Sequence, residues 1–403
     1  MTNIVALIAV TVLNLQTHLI PVKSNEALTN LVMIEQIPMT QAQRAEKAKT
    51  FYEEGYDYFY GISYPVNRTL AVKYFQEAEK LKNADALFFL SIHQQNNGNL
   101  KEAAQAAKRS LELGNEAAKI ILGKIQKDEK LRKEGNTLEL GNEVTKITVG
   151  ETQEDETLMK EGFNALKKKV DSGDMHYSDS LGYAYEFGIG TSFSIKEAMK
   201  YYEMAAKQNN TMGMTNLANL YLRENKFKKA KPLLVKAAEK EYGYAQYLLA
   251  MNFFDLYSDN NKEALFWLER AASNDEPHAL YQLGLYYGEK ADLAKAINYF
   301  QRAAELNHAD AALELSYIYD EGIIVEQDDD KALFFLKKAA ELDNQEAIDE
   351  LAAQALSGEG NMDAKEAEYW IKKAGYTEEM LKELDKLQEK SLDMFKKMQE
   401  THQ

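Results

Sequence analysis

Small residues recur along this chain at helical spacing. Ala71/Ala78, Ala103/Ser110, Ala198/Ala205, Ala230/Ala237, Ala264/Ala271, Ala296/Ala303, Ala332/Ala339 and Ala367/Ala374 are pairs seven residues apart. Seven residues is nearly two helical turns, so both members of a pair share one helix face. Small side chains there let a neighbouring helix approach closely. Four residues before the second member stands a bulky apolar residue in seven of eight cases: Tyr74, Tyr201, Leu233, Trp267, Tyr299, Phe335 and Trp370. The pattern reads these as the packing column of the helix. Four residues before the first Ala lies Asn67, Asn99, Ser194, Asn260, Asp292, Asp328 or Asp363. These are N-cap types, whose side-chain oxygen accepts an orphan backbone N–H. Lys226 breaks the column, and Asn225 is expected to cap one residue earlier.

A second helix keeps register with the first. Thirteen residues after each second small residue comes another, usually behind a Leu: Ser91, Gly123, Ala218, Ala250, Gly284, Ser316 and Ala352, with Gly55 and Gly182 in the same column. An aromatic follows three residues later in most, as at Tyr58, Tyr185, Tyr221, Phe253, Tyr287 and Tyr319. The chain therefore predicts nine A/B helix pairs and an all-α fold, the third pair being irregular. The step from B to the next A is constant, whereas the step from the small residue of A to the cap of B varies between 8 and 12. One end of the stack is packed and the other accepts insertions.

These residues resemble the Sel-like repeat, a branch of the tetratricopeptide superfamily. The resemblance rests on Leu181-Gly182-Tyr185-Gly188-Gly190 with Ala198-Tyr201-Ala205-Ala206, and on Tyr319-Gly322-Val325-Asp328-Lys331-Ala332-Ala339-Ala340. It covers about residues 45 to 376. The shorter stretches 212–241 and 278–307 look like plain tetratricopeptide units without the proline near the end of helix B. The resemblance implies a right-handed α-solenoid whose A helices line a concave face. Its groove positions fall here on Tyr183, Phe187, Tyr244, Tyr247, Met251, Phe254, His278, Tyr281, Leu285 and Tyr317. Tyrosine offers apolar area and a hydroxyl, which suits protein or extended-peptide contact. About half of these are expected to be buried between helices instead. Tyr247 and Tyr281, in the same position of successive repeats, are expected to stand side by side. The basic clamp of chaperone-tail-binding members is not reproduced, since only Asn219 and Arg223 approach it.

The flanks read differently. Residues 1–24 hold a ten-residue apolar run, Ile4 to Leu13, followed by Pro21 and Ser24. That run is too short to span a bilayer, which needs about 20 residues. A cleaved signal peptide is expected there, followed by a lead-in at 25–44. Residues 45–128 carry repeats 1 and 2 and helix A of repeat 3, and 157–376 carry helix B of repeat 3 and repeats 4–9. Between them, 129–156 is a charged insertion, expected as a solvated loop; Glu143 to Val149 alternates like a short strand, so a hairpin is the other reading. Residues 377–403 are expected to form an amphipathic helix that caps the array.

Composition removes several function classes. Lys and Arg total 48 against 64 Asp and Glu, a net charge of −16, which speaks against a nucleic-acid footprint. There is no cysteine, so disulfides, thiolate metal sites and cysteine nucleophiles are excluded together. No phosphate-binding loop, zinc-protease motif or nucleophile elbow occurs. Gly188-Ile189-Gly190 reads as an A–B turn, and Asp328-Asp329-Asp330 as a cap with helix-dipole charge rather than a calcium loop. No cofactor, metal or catalytic residue is expected. The sequons at Asn67 and Asn209 are candidate glycosylation sites, with Asn209 expected in an exposed turn.

The expectation is therefore a non-enzymatic scaffold that binds other proteins or extended peptides, without nucleic acid. The leader and sequons look like those of the lumenal adaptors of the ER-membrane ubiquitin ligase, which implies an ER-lumenal or secreted chain that recruits clients for degradation. A bacterial exported or host-interacting repeat protein is the alternative. A hydrolase, as associated with some family members, has no residues here to support it.

Overall fold

The structure is a computed structural model that describes residues 39–134, 144–258, 261–322, 325–358, 362–377 and 380, with the side chains of 127–155 left aside. The expected leader, the lead-in and the terminal capping helix lie outside the described residues, save for a few residues at their inner edges.

Eighteen α-helices follow one another: α1 Gln41–Tyr60, α2 Arg68–Lys80, α3 Ala84–Asn96, α4 Leu100–Glu112, α5 Lys119–Glu134, α6 Val144–Asp171, α7 Ser178–Phe187, α8 Ile195–Lys207, α9 Thr211–Arg223, α10 Phe227–Glu239, α11 Gly243–Phe253, α12 Lys262–Ser273, α13 Pro277–Glu289, α14 Leu293–Glu305, α15 Ala309–Glu321, α16 Asp329–Glu341, α17 Gln345–Ser357 and α18 Ala364–Lys373. Odd-numbered helices are the A helices and even-numbered ones the B helices. Each packs on its neighbours in sequence, giving an all-α solenoid of nine pairs among the described residues.

The small columns are the seams of this stack. Every Ala of the helix-B column from Ala71 to Ala339 is buried. Its partner column in helix A faces a large side chain of helix B: a Cβ on Gly55, Gly182 or Gly284 would lie 2.7, 2.6 or 2.5 Å from Phe75, Tyr202 or Phe300. Tyr74, Tyr201 and Trp370 of the expected column are buried, but in four repeats the core residue of helix B lies one position beyond it. Phe75, Tyr202, Leu234, Leu268, Phe300 and Leu336 are buried, whereas Leu233, Trp267, Tyr299 and Phe335 are half-buried. One residue along a helix is a turn of about 100°, enough to move a side chain from seam to flank. The expected column has a further task. Tyr74, Tyr201, Tyr299 and Phe335 stack on Tyr58, Tyr185, Tyr287 and Tyr319 of the paired A helix, with ring centroids 5.5 to 5.8 Å apart.

The constant B-to-A step has a backbone cause. Lys82, Asn209, Glu241, Asp275, Asn307 and Asp343 each adopt positive φ, between 53° and 66°. The next N–H then turns back to the carbonyl of the second column Ala, as from Asn210 to Ala205 (3.2 Å) or His308 to Ala303 (3.0 Å). This is the bonding of a left-handed helix C-cap. The residue that donates it is also the N-cap of the following A helix: Asn83, Asn210 and Asn344 accept from backbone N–H groups there. Two caps share one turn, which leaves no room for length variation.

Most predicted B-helix caps stand, with side-chain bonds at Asn67, Ser194, Asp292, Asp328 and Asp363. Two differ. Helix α12 starts one residue later than expected, behind Asn261. Asn225 does not cap α10 but takes positive φ, and Lys226 occupies the cap. The insertion also differs: α5 runs on to Glu134 and α6 begins at Val144. Most of what was expected as a loop or hairpin is helix. A strand needs a partner for its backbone groups, whereas a helix satisfies its own.

Candidate interaction surface

The array coils until its turns meet. The Val66 N–H donates to the Lys240 carbonyl (2.7 Å), Lys240 Nζ to the Ile62 carbonyl (2.9 Å), and Asn307 Nδ2 to the Asn97 carbonyl (2.9 Å). Arg68 lies over the ring of Tyr242, 5.6 Å from its centroid. The A helices so brought together, with α2, line a half-open chamber of about 1210 Å³. Among its lining residues are Tyr183, Tyr244 and His278 from the expected groove, and Arg68, Asp179 and Tyr242, which the sequence reading did not single out.

Asp179 is 4 % exposed and holds one described partner, Asn216 Nδ2 at 3.2 Å. Burial pushes its carboxyl up to about 7, with the neighbouring charge of Glu186 adding to the effect. His93, also on the chamber wall, is lowered to about 4 by burial and by Arg68.

From the chamber wall onward runs a continuous row of rings. Tyr244 stacks on Tyr247 at 6.0 Å, and both approach His278, at 5.7 and 5.4 Å. His278 meets His308 edge-on at 5.2 Å, and His308 stacks on Tyr281 at 4.6 Å. Tyr247 and Tyr281 are thus joined through two histidines rather than standing side by side. His308 was missed because it sits in the turn, as N-cap of α15, not in the repeating groove positions. Burial, then the charge of His278, lowers it to about 4, so it is a neutral ring at pH 7. On the next repeat Tyr317 donates to Glu346 (3.1 Å) and Glu350 (3.4 Å).

None of the ten expected groove residues is fully buried, contrary to the expectation for half of them. Tyr183, Phe187, Met251 and His278 are exposed, and Tyr244, Tyr247, Phe254, Tyr281, Leu285 and Tyr317 are half-buried. Tyr183 and Phe187 form a separate ring pair at 4.5 Å, and Lys124 donates to the Tyr183 hydroxyl at 3.2 Å. Phe254 is extended, just past the end of α11, with Lys231 over its ring. Leu285 lines a smaller pocket between α13, α14 and α15 with Glu314. Of the sequons, Asn67 caps α2 and lines the chamber. Asn209 is half-buried rather than exposed, and it accepts from Lys236 at 2.6 Å.

Among the described residues no cluster of three metal-ligating side chains occurs, and no helix is long and apolar enough to cross a membrane.

Comparison with known proteins agrees with this architecture. The Sel1 repeat family matches residues 55–83, 180–210, 243–276, 277–308 and 309–344. The fourth of these corrects the reading of 278–307 as a plain tetratricopeptide unit. The chain is 26% identical over 219 residues to the ERAD-associated E3 ubiquitin-protein ligase component HRD3B of Arabidopsis thaliana, covering 48% of this chain and 35% of that protein. It is 29% identical over 124 residues to a putative sel1-like repeat-containing protein, L21, of Acanthamoeba polyphaga mimivirus, covering 31% and 23%. The match thus spans about a third or less of each relative's length. A solved Sel1 repeat protein from Oxalobacter formigenes is 28% identical, with 54% of this chain and 93% of that chain covered at a TM-score of 0.45. With five separate stretches between Gly55 and Asn344 matching the Sel1 repeat on a solenoid of paired helices, the chain carries Sel1 repeats.

Proposed function

We propose that this Sel1-repeat scaffold works as an adaptor in the secretory pathway, holding client or partner proteins on the inner face of the array. The observation that carries the reading is the ring row from Tyr244 to Tyr281, whose members are half-buried or exposed and in contact with one another. Rigid aromatic side chains make strong anchors at little entropic cost. Similarity to an ERAD ligase component favours the ER lumen, as do the leader-like first 24 residues and the two sequons.

The test has two arms. Tyr247→Ala/Tyr281→Ala should weaken binding of a partner recovered from the native compartment by roughly a thousandfold, since each hot-spot truncation costs about 2 kcal/mol, with helix content unchanged. Full affinity in the double variant would reject the inner face. Expression in a eukaryotic host should give a chain shortened at its N-terminus and confined to the secretory pathway. An uncleaved cytosolic chain would reject the compartment.

A further inference from the structure

The inner and outer helices differ in charge in a way that specifies the partner. The A helices α11, α13, α15 and α17 contain no Lys or Arg at all. The B helices packed behind them all contain Lys, and α12 and α14 an Arg as well. On the B side, acidic residues find cations within the chain: Asp292 with Lys295 (2.7 Å), Asp328 with Lys331 (2.8 Å), Glu366 with Lys337 (2.6 Å) and Glu368 with Lys372 (2.7 Å). On α15 and α17 they do not. Asp310, Glu314, Glu346 and Glu350 have hydrogen bonds at most, from Asn344, Tyr317 and Gln354, and no cation among the described residues. Glu314 and Glu350 are half-buried and held above the usual carboxylate range, first by burial and then by neighbouring acidic groups.

We propose that the inner face binds a basic extended segment of a partner protein, with arginine side chains as its main contacts. The inference deepens the reading of this face as the binding surface and rests on it. The chemistry fits at two levels. Carboxylates forced together and partly desolvated gain most from an incoming cation, because the protein supplies none to compensate them. The rings of Tyr281, His308 and Tyr317 lie between those carboxylates, and a guanidinium stacks flat on an aromatic ring while its edge forks to a carboxylate. A phosphorylated or acidic segment would meet repulsion along the whole row.

The experiment titrates the full chain into a short fluorescein-labelled peptide of alternating arginine and serine and follows anisotropy. Peptides in which lysine or glutamate replaces arginine are run beside it. The arginine peptide should bind, more tightly than the lysine peptide and less tightly at high salt, and the glutamate peptide should not. Glu314→Gln/Glu350→Gln should weaken binding about tenfold or more. The matched outer-face variant Glu197→Gln/Glu368→Gln, which removes the same charge, should leave it within about twofold. Circular dichroism monitors folding, and Glu346→Gln alone gives a milder inner-face variant. Absence of binding overturns the proposal, as does an equal loss in the outer-face variant, which would mean attraction to net charge alone. A chain that dimerises, with the dimer abolished by Glu314→Gln/Glu350→Gln, would make the occupant a second copy and overturn it too. If Tyr247→Ala/Tyr281→Ala abolishes partner binding yet the peptides show no preference for arginine, the basic segment fails and the binding face stands.

Discussion

Gly284 lies flat against the ring of Phe300: a Cβ built on the glycine would come within 2.5 Å of a ring carbon. The same helix offers an internal contrast at Gly288, where a Cβ would find its nearest neighbour, Ala296 Cβ, at 4.0 Å. Gly284→Ala should therefore destabilise the array by about 1–3 kcal/mol through overpacking. Gly288→Ala should stabilise it by up to about 1 kcal/mol through helix propensity. Urea unfolding of the two variants checks both signs. Equal effects would mean that the α13–α14 seam lies elsewhere.

The displacement of the core column by one residue predicts an order of severity. Phe300 is 5 % exposed and Trp267 is half-buried beside the exposed Phe266. Phe300→Ala should cost about 3–5 kcal/mol, and Trp267→Ala clearly less, although tryptophan is the larger side chain. Thermal melting of the two variants decides. A greater loss at Trp267 would restore the register expected from the sequence.

Ala291 occupies the turn between α13 and α14 with φ at 57°, where an L side chain is strained. Replacing it with glycine relieves that strain but adds freedom to the unfolded chain. The first effect is about 1–2 kcal/mol and the second about 0.4–1 kcal/mol. Ala291→Gly should therefore give a net gain of roughly 0.5–1 kcal/mol, measured as a higher urea midpoint at unchanged slope. A loss would show that the turn is not held left-handed in solution.

Asp179 sets a pH dependence of opposite sign to the common one for carboxylates. Its carboxyl sits at about 7 in the folded chain, against an ordinary value of 3.8. Between those values the folded state holds a proton that the unfolded state has released, so this group's contribution to stability falls as pH rises from about 4 to about 7. Above 7 it is ionised in both states and the cost of its burial is complete. Asp179→Asn should gain on the wild type over that window and be more stable at pH 8 by at least about 1 kcal/mol. His93 and His308 act the other way, losing stability as pH falls from 6.5 towards 4, so the comparison must be between variant and wild type. A constant difference across the window would show that Asp179 is ionised throughout.

Much of the repeat was legible because it is written in small residues. A seam that admits only Ala, Gly or Ser leaves few alternatives at Ala71, Gly182 or Gly284, and spacing then fixes the helix pairs. The core residue behind the seam was harder to read. Trp267 and Leu268, or Tyr299 and Phe300, are adjacent and both bulky, and composition cannot say which turns inward. The inner surface was legible only in part. Tyr244, Tyr247, His278 and Tyr281 follow repeat positions, but His308 belongs to a turn, outside the repeating groove positions. The chamber was out of reach, because Arg68, Asp179 and Tyr242 come from repeats far apart in sequence. Nothing in one repeat reports how far the stack will curl.

That curl changes how the molecule folds. An open solenoid is held by neighbouring repeats alone, and it can lose an end without disturbing the other. Here Asn97 is bonded to Asn307 and Val66 to Lys240, so contacts that span about half the chain are part of the native state. Ordering the sequence between them must precede those bonds and delays them. The array should therefore form its seams quickly and close late. Removing repeats after α14 would loosen not only the cut end but also the first repeats, which rest against the turn that the cut would leave uncovered.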